Sequence, residues 1–543
     1  MVQMKRYDSF KSRRFRVLVS DSIDNAGIDI LSTVADVDVK TKLTEDQICE
    51  IIPEYDAMMV RSGTKVTEKI IRSSKKLKII GRAGVGVDNV NVKAATDTGI
   101  FVVNSPLGNT VAAAEHTLAL LMALSRNIAP ADASMRALKW ERNKFMGSQL
   151  QGKILGIVGL GQVGSHVAKV AREMGMKLLT FDPYVNEAKA ASLDCQIVTL
   201  EELYKMSDYI TLHVPLIPET KHMINADTIK TMKRTCRIIN ASRGGVIDEK
   251  ALVEALKEGR LAGAAMDVFE EEKAFAEDNP LLTAPNMLLT PHLGASTHEA
   301  QVNVAVDVAQ QIKDTLQGNL PQSAVNIPGM RAAELQQILP LLSCCDDLGK
   351  VTVQLLQGAL EKITVTLEGE YASERGDPML LAVAKGALAV QLDRPVNFVN
   401  VKQVADTFKV ALSVAKEPHH TKPGLRVEMK SRTETATVRG TNTDDGKVLM
   451  TAFQDVPIYM LLPDLGSKKT SFIYSMHSDS PGVLAKVTGI LGKHQLNIGN
   501  LHLGRKAPNL GIAIASVDGG VSQEALDEVK ALDTVKECKV FVV

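Results

Sequence analysis

"KILGIVGLGQVGSHVAKVAREMG", residues 153–175, sets an apolar run typical of a buried strand against a helical run, and the turn between them carries Gly159, Gly161 and Gly164. A Gly-x-Gly-x-x-Gly hexapeptide alone is weak evidence, because glycine-rich turns are common; between a strand and a helix it is a dinucleotide-binding fingerprint. The first glycine makes the tight turn, the second lets the backbone approach a pyrophosphate, and the third lets helix and strand pack closely, while the helix N-terminus favours the anion. The next apolar run, "KLLTFDP", ends in Asp182. A carboxylate there accepts hydrogen bonds from the adenosine ribose hydroxyls and repels a 2′-phosphate, which favours NAD over NADP; the plainer reading is a turn residue before Pro183. A second glycine-rich stretch, "GRAGVGVDN", puts Asn89 where the third glycine should stand and fails the fingerprint.

Outward from this unit, the chain reads as α/β. From Arg16 to Asn104, short apolar runs ("FRVLVS", "AMMVRS", "LKIIG", "GIFVVN") alternate with amphipathic segments, the rhythm of parallel βαβ units. The helical stretch "NTVAAAEHTLALLMALSRNI" leads into a second such series built around the fingerprint. These are two doubly wound parallel-sheet domains: a flavodoxin-like domain at 1–105, to which the helical segment 296–325 returns, and a Rossmann domain at 106–295, with a cleft between them and hinges near Ser105 and Ala295. Residues 326–465 mix helices with alternating strands such as "KITVTLEGE", an α+β domain; "PDLGSKK" reads as a linker; and 470–543 give βαββαβ, a ferredoxin-like module.

Composition narrows the function classes. A chain of 543 residues exceeds one hydrophobic core, so about three or four domains are expected. Lys plus Arg and Asp plus Glu each number 63, which leaves no global electrostatic footprint for nucleic acid or an anionic membrane; small molecules and further copies of the chain are the expected partners. Six cysteines without metal-ligand or secretory spacing point to reduced thiols in the cytoplasm, and no apolar run reaches the roughly 18 residues of a membrane helix. The basic opening is read as a solvated tail, with a core strand beginning by Phe15. His419 and His420, adjacent in a loop, have no carboxylate partners in sequence, and no metal is assigned.

Ligands of open α/β sheets bind beyond the carboxyl ends of the strands. Three runs end there in reactive side chains: "RIINASRGGVID" in Arg243, "LAGAAMDVFEEEK" in three glutamates, and "NMLLTPHLGAST" in His292. A hydride leaves a secondary alcohol only as its hydroxyl proton goes to a base, and histidine serves both directions because its ordinary pKa lies near neutrality. Arginine's planar fork holds a carboxylate in bidentate fashion. A surface arginine, a turn histidine and an acidic loop are each plausible singly, and much less so at three strand ends of one Rossmann unit.

Together "GLGQVG", "NASRGGVIDEKAL", "MDVFEEE" and "TPHLGAST" resemble the D-isomer-specific 2-hydroxyacid dehydrogenases over residues 16 to about 325. The resemblance implies a catalytic set of Arg243, Glu272 and His292, the third glutamate being selected by its distance from Asp267. It implies NAD contacts from Val85, Gly159, Gly161, Gln162, Val163, Gly164, Asp182, Val214, Ala241, Ser242, Arg243, Asp267, His292, Gly294 and Ala295. Three departures stand out: Lys273 where members commonly have proline, and Val85 and Val214 where some have threonine.

"VRSGTKVT", "GRAGVGVDNVN", "SPLGNTVAAAEHT" and "KWERNKFMG" further resemble the long-form branch of that family, which carries an intervening domain and a terminal ACT domain. This implies oxidation of 3-phospho-D-glycerate to 3-phosphohydroxypyruvate, the first step of serine biosynthesis. It also implies a substrate site of Arg61, Lys65, Arg82, Arg142 and Arg243, with Arg142 reaching a neighbouring subunit in a homo-oligomer (dimer or tetramer). The rival readings are a glycerate dehydrogenase or hydroxypyruvate reductase, a 2-oxoglutarate reductase, and an NAD-sensing corepressor-like interaction protein. In "MHSDSPGVLAKVTGILGKHQLNIGN" the ACT effector positions are His477, Asp479 and Asn497; serine-binding forms have asparagine at the second, and an ionised aspartate there repels a ligand carboxylate. Weak or absent serine feedback is the expectation. The stretch "KEPHHTKPGLRVEMK" is a candidate anion site in the intervening domain.

Overall fold

The computed structural model describes residues 14–271, 277–327, 332–392, 395–420, 422–443, 445–462, 470–507 and 509–543. Glu272, Lys273 and the linker at 463–469 lie outside these residues, as does most of the basic opening.

The first sheet comprises β1 (Phe15–Val19), β2 (Ala35–Val39), β3 (Ala57–Val60), β4 (Ile79–Arg82) and β5 (Phe101–Val103), all parallel in the order β2-β1-β3-β4-β5. That is the flavodoxin-like winding. Helices cover both faces of its inner strands, and every residue of β3 is buried, whereas the edge strand β2 carries Asp36 and Asp38. One cover is the helix His298–Leu316, which returns to this sheet and buries Val304, Ala305, Val308, Ala309 and Ile312. Its approach requires Gly81, where a Cβ would lie 2.5 Å from Val308 and 2.7 Å from Ile312.

The second sheet comprises β6 (Ile154–Val158), β7 (Lys177–Phe181), β8 (Cys195–Ile197), β9 (Tyr209–Leu212), β10 (Arg237–Asn240), β11 (Gly263–Met266) and β12 (Met287–Leu289). It too is all parallel, in the order β12-β11-β10-β9-β6-β7-β8. The order reverses between β6 and β9, which opens a crevice at their carboxyl ends. The helical segment read between the two units forms the helix Thr110–Ser125; the chain turns at Asn127, whose φ is 53°, and a further helix, Ile128–Arg136, follows.

The remainder divides into a mixed sheet and an antiparallel one. β13 (Leu360–Glu368), β14 (Ala411–Glu417), β15 (Gly424–Ser431), β16 (Thr435–Asn442), β17 (Val448–Phe453) and β18 (Val456–Leu461) run in the order β14-β13-β15-β16-β17-β18, with only β13 and β14 parallel. Cys344 and Cys345 are buried in the helix Ala332–Gln354. β19 (Ser471–Ser478), β20 (Ile498–Ala507), β21 (Leu510–Val517) and β22 (Val535–Val542) form the antiparallel order β20-β21-β19-β22 of a ferredoxin-like module. Among the described residues no helix is long and apolar enough to cross a membrane.

Candidate active site

The glycine-rich turn joins β6 to the helix Gln162–Glu173, with Gly161 as its N-cap. Gly159 has φ of 92°, and a Cβ there would stand 2.5 Å from the carbonyl oxygen of His213. At Gly164 a Cβ would stand 2.1 Å from the carbonyl oxygen of Gly159, so only glycine lets the helix seat on the strand. A Cβ at Gly161 would meet nothing within 4 Å: this side of the backbone faces open space at a helix N-terminus, the place a pyrophosphate takes. The residues present therefore fit a dinucleotide. Asp182 braces the same turn, accepting the Leu160 N–H and the Tyr184 N–H, each at 2.8 Å.

A cleft of ≈ 320 Å³ opens from this turn, and it gathers Val85, Gly161, Gln162, Val163, Gly164, Val214, Ala241, Ser242, Arg243, His292, Gly294 and Ala295. The cleft wall does not include Gly159, Asp182 or Asp267; these stand behind it. Val85 comes from the first sheet and the others from the second, so the cleft lies between the two parallel-sheet units.

Asp267 is wholly buried and organises the wall. Its carboxylate accepts from the Thr290 hydroxyl at 2.6 Å, the Leu293 N–H at 2.7 Å and the Gly294 N–H at 2.8 Å, and His116 Nε2 lies 3.1 Å away. Burial alone would raise this carboxyl; the hydrogen bonds from His116, Thr290 and Leu293 outweigh it and hold the group below the usual carboxylate range. The backbone completes the brace, because the His292 N–H donates to the Asp267 carbonyl at 2.9 Å while His292 itself takes the left-handed φ of 55°. Asp267 thus places His292 just past the end of β12, on the wall of the cleft.

Arg243 is placed by a turn built on Asn240, which is fully buried at the end of β10. Asn240 Oδ1 accepts from the Ser242 N–H at 3.0 Å and from the Ser242 hydroxyl at 2.8 Å, and its Nδ2 donates to the Arg243 carbonyl at 2.9 Å. Gly244 lets this turn press on the loop after β11, since a Cβ there would lie 1.8 Å from the Phe269 carbonyl oxygen. That loop is tied down in turn: the Glu270 N–H donates to Glu249 at 2.7 Å, and His222 Nε2 lies 3.1 Å from Glu270. Glu270 thereby anchors the loop after β11.

Arg82, at the end of β4, stands near Arg243, and Arg61, just past β3, stands near Arg82. Burial, followed by the nearby Arg243 charge, pushes the Arg82 guanidinium down to about 10, so it stays protonated at neutral pH. Its Nε is buried without a hydrogen-bond partner among the described residues. Burial likewise lowers Arg61, whose N–H is held by Asp21 at 2.6 Å. Lys65 is exposed on the same loop. Arg142 sits in the short turn Arg142–Phe145 and lines a separate depression with Trp140 and Met135.

His213, absent from the sequence expectations, lines the cleft beside Val214, and burial pushes it down to about 4 from an ordinary 6.5. A depressed folded-state pKa contributes stability that is complete above the unfolded value and lost on acidification. Thermal melts should therefore show stability falling between about pH 6.5 and 4, by up to roughly 3 kcal/mol from this group, and His213→Gln should flatten that part of the profile. His116 was also missed: it lies 151 residues from Asp267, and no local spacing links them.

In the terminal module His477 is buried, with Nδ1 3.0 Å from the Ser478 carbonyl, and Asn497 Nδ2 donates to Asp518 at 2.8 Å. Asp479 is paired with Arg505 at 2.7 Å. In the mixed sheet, part of the basic stretch is balanced internally: buried Glu368 lies 3.4 Å from Arg439 and 3.9 Å from His420. Among the described residues no group of His, Cys, Asp or Glu is arranged to hold a metal.

The description "D-isomer specific 2-hydroxyacid dehydrogenase, NAD binding domain" matches residues 118–294, "D-3-phosphoglycerate dehydrogenase intervening domain" matches 337–454 and "ACT domain" matches 470–534. A D-3-phosphoglycerate dehydrogenase of Synechocystis sp. is 46% identical, over 90% of this chain and 88% of its own length. One from Methanocaldococcus jannaschii is 38% identical over 97% of this chain and 99% of its own. A D-lactate dehydrogenase of Aquifex aeolicus, solved with NAD and lactic acid, superposes with a TM-score of 0.52 at 26% identity, covering 56% of this chain and 96% of that one. With the glycine cradle, the cleft and these relatives in agreement, the chain is an NAD-dependent dehydrogenase and belongs to the D-3-phosphoglycerate dehydrogenase family.

Proposed function

We propose that the protein oxidises 3-phospho-D-glycerate to 3-phosphohydroxypyruvate, as the first step of serine biosynthesis in the cytoplasm. The observation that carries this reading is the row of partly buried guanidiniums, Arg61 near Arg82 and Arg82 near Arg243: three cations suit a substrate bearing both a carboxylate and a phosphate. Arg243 holds the carboxylate. Arg61 and Arg82, with Lys65 at the rim, hold the phosphate. His292 takes the hydroxyl proton, and Glu272 orients and charges the imidazole. NAD, when bound, accepts the hydride from the carbon that carried that hydroxyl. Closure of the cleft about the segments near Ser105 and Ala295 excludes water.

The test compares kcat/KM for NADH-dependent reduction of phosphohydroxypyruvate and hydroxypyruvate. A large preference for the phosphorylated compound is expected; comparable values move the protein to the glycerate branch, and no turnover of either rejects the reading.

The protein works as a homo-oligomer. Leu138, Trp140 and Met146 are 95%, 80% and 83% exposed around Arg142, an apolar surface that a second copy covers while Arg142 reaches its site. The ACT module does not confer strong serine feedback, since Asp479 is an acceptor-only group already engaged by Arg505. Millimolar serine is expected to leave initial rates nearly unchanged, and strong inhibition of the wild-type enzyme overturns this.

A further inference from the structure

Arg243 is not idle in the absence of substrate. Its Nε donates to Asp88 Oδ2 at 3.1 Å, and its Nη1 donates to the Ser242 carbonyl at 2.7 Å. Asp88 lies in the loop after β4, in the first sheet's unit, whereas Arg243 follows β10 in the second, so the ion pair spans the cleft. The two side chains meet over Gly86: a Cβ there would stand 2.2 Å from Arg243 Nη2 and 2.6 Å from Asp88 Oδ2. The same loop is fastened on the phosphate side, where Asn89 Nδ2 donates to the carbonyls of Arg61 and Thr64, each at 2.6 Å.

We propose that Asp88 is a resident carboxylate that competes with the substrate carboxylate for Arg243, and so sets the affinity of the site. A carboxylate gripping a guanidinium side-on needs Nε together with Nη2, and Asp88 holds the first of these. With Arg82 beside it, an Arg243 lacking a counter-ion is repelled by its neighbour; Asp88 supplies that counter-ion in the empty cleft. The substrate must displace Asp88, which is 68% exposed and moves into water when released. The cost is small, because exposed ion pairs are weak. The penalty falls on every carboxylate that engages Arg243, so the exchange lowers the affinity of the site for all of them alike.

This inference rests on the assignment of Arg243 to the substrate carboxylate. Asp88→Asn is expected to lower KM for the hydroxyacid roughly twofold to fivefold and to leave KM for NAD unchanged. In an Arg243→Lys background, which lacks the side-on fork, the gain should vanish, whereas a general change in the field of the cleft would persist there. Calorimetric titration of the full-length protein with oxalate gives a readout independent of turnover and of which hydroxyacid is the substrate: Asp88→Asn should bind it severalfold more tightly. An unchanged or raised KM together with unchanged or weaker oxalate binding overturns the role of Asp88. Absence of phosphoglycerate turnover with tighter oxalate binding leaves it standing and rejects only the substrate.

Discussion

His292→Ala lowers kcat by about 10²–10⁴-fold, the range for loss of a positioned general base, and leaves NAD affinity within a few-fold of wild type. The expectation follows from the way the structure holds this residue. Its backbone is fixed from below by the carbonyl of Asp267, and its neighbours Leu293 and Gly294 donate to the Asp267 carboxylate, so removing the imidazole leaves the cleft wall standing. The loss therefore reads as lost chemistry rather than lost structure. The measurement is steady-state kcat under conditions where a substrate deuterium isotope effect shows hydride transfer to be rate-limiting, with an NADH titration as the control. Near-normal kcat under those conditions would remove His292 from its assigned role.

Arg243→Ala should lower kcat/KM for the hydroxyacid by about 10²–10³-fold, the scale for truncating one member of a desolvated charge pair, and weaken NAD binding far less. The side chain reaches over Gly86 towards the first sheet's loop, while the turn that carries it is held by Asn240 through the backbone and Ser242. Truncation thus removes the guanidinium and spares the turn. A split in which NAD binding falls as much as substrate use would show the residue to be a cofactor ligand first.

The two substitutions also separate what was legible in the chain from what was not. Arg243 and His292 are visible as reactive side chains just past apolar strand runs, and parallel-sheet topology dictates that strand ends converge. The glycine fingerprint was legible for a similar reason: Gly164 answers a steric demand made within a few residues of it, the 2.1 Å approach that a Cβ would make to the Gly159 carbonyl oxygen. The fold class followed from the same local periodicities, and both parallel sheets, the mixed sheet and the antiparallel module are present.

The partners of these residues were a different matter. His116 meets Asp267 across 151 positions, and Asp88 meets Arg243 across 155. In sequence His116 is one polar residue in an apolar helix, and Asp88 belongs to a stretch that merely fails a glycine motif. Each acquires a role only when the helix Thr110–Ser125 and the loop after β4 are packed against the ends of β10, β11 and β12. Local pattern by itself determined the elements and pointed to candidate side chains at the strand ends, because backbone sterics and burial act within one or two turns of chain. Tertiary structure alone decided which charge faces which. Electrostatics and hydrogen bonding depend on distances through space, and the fold sets those distances between residues that the chain keeps far apart.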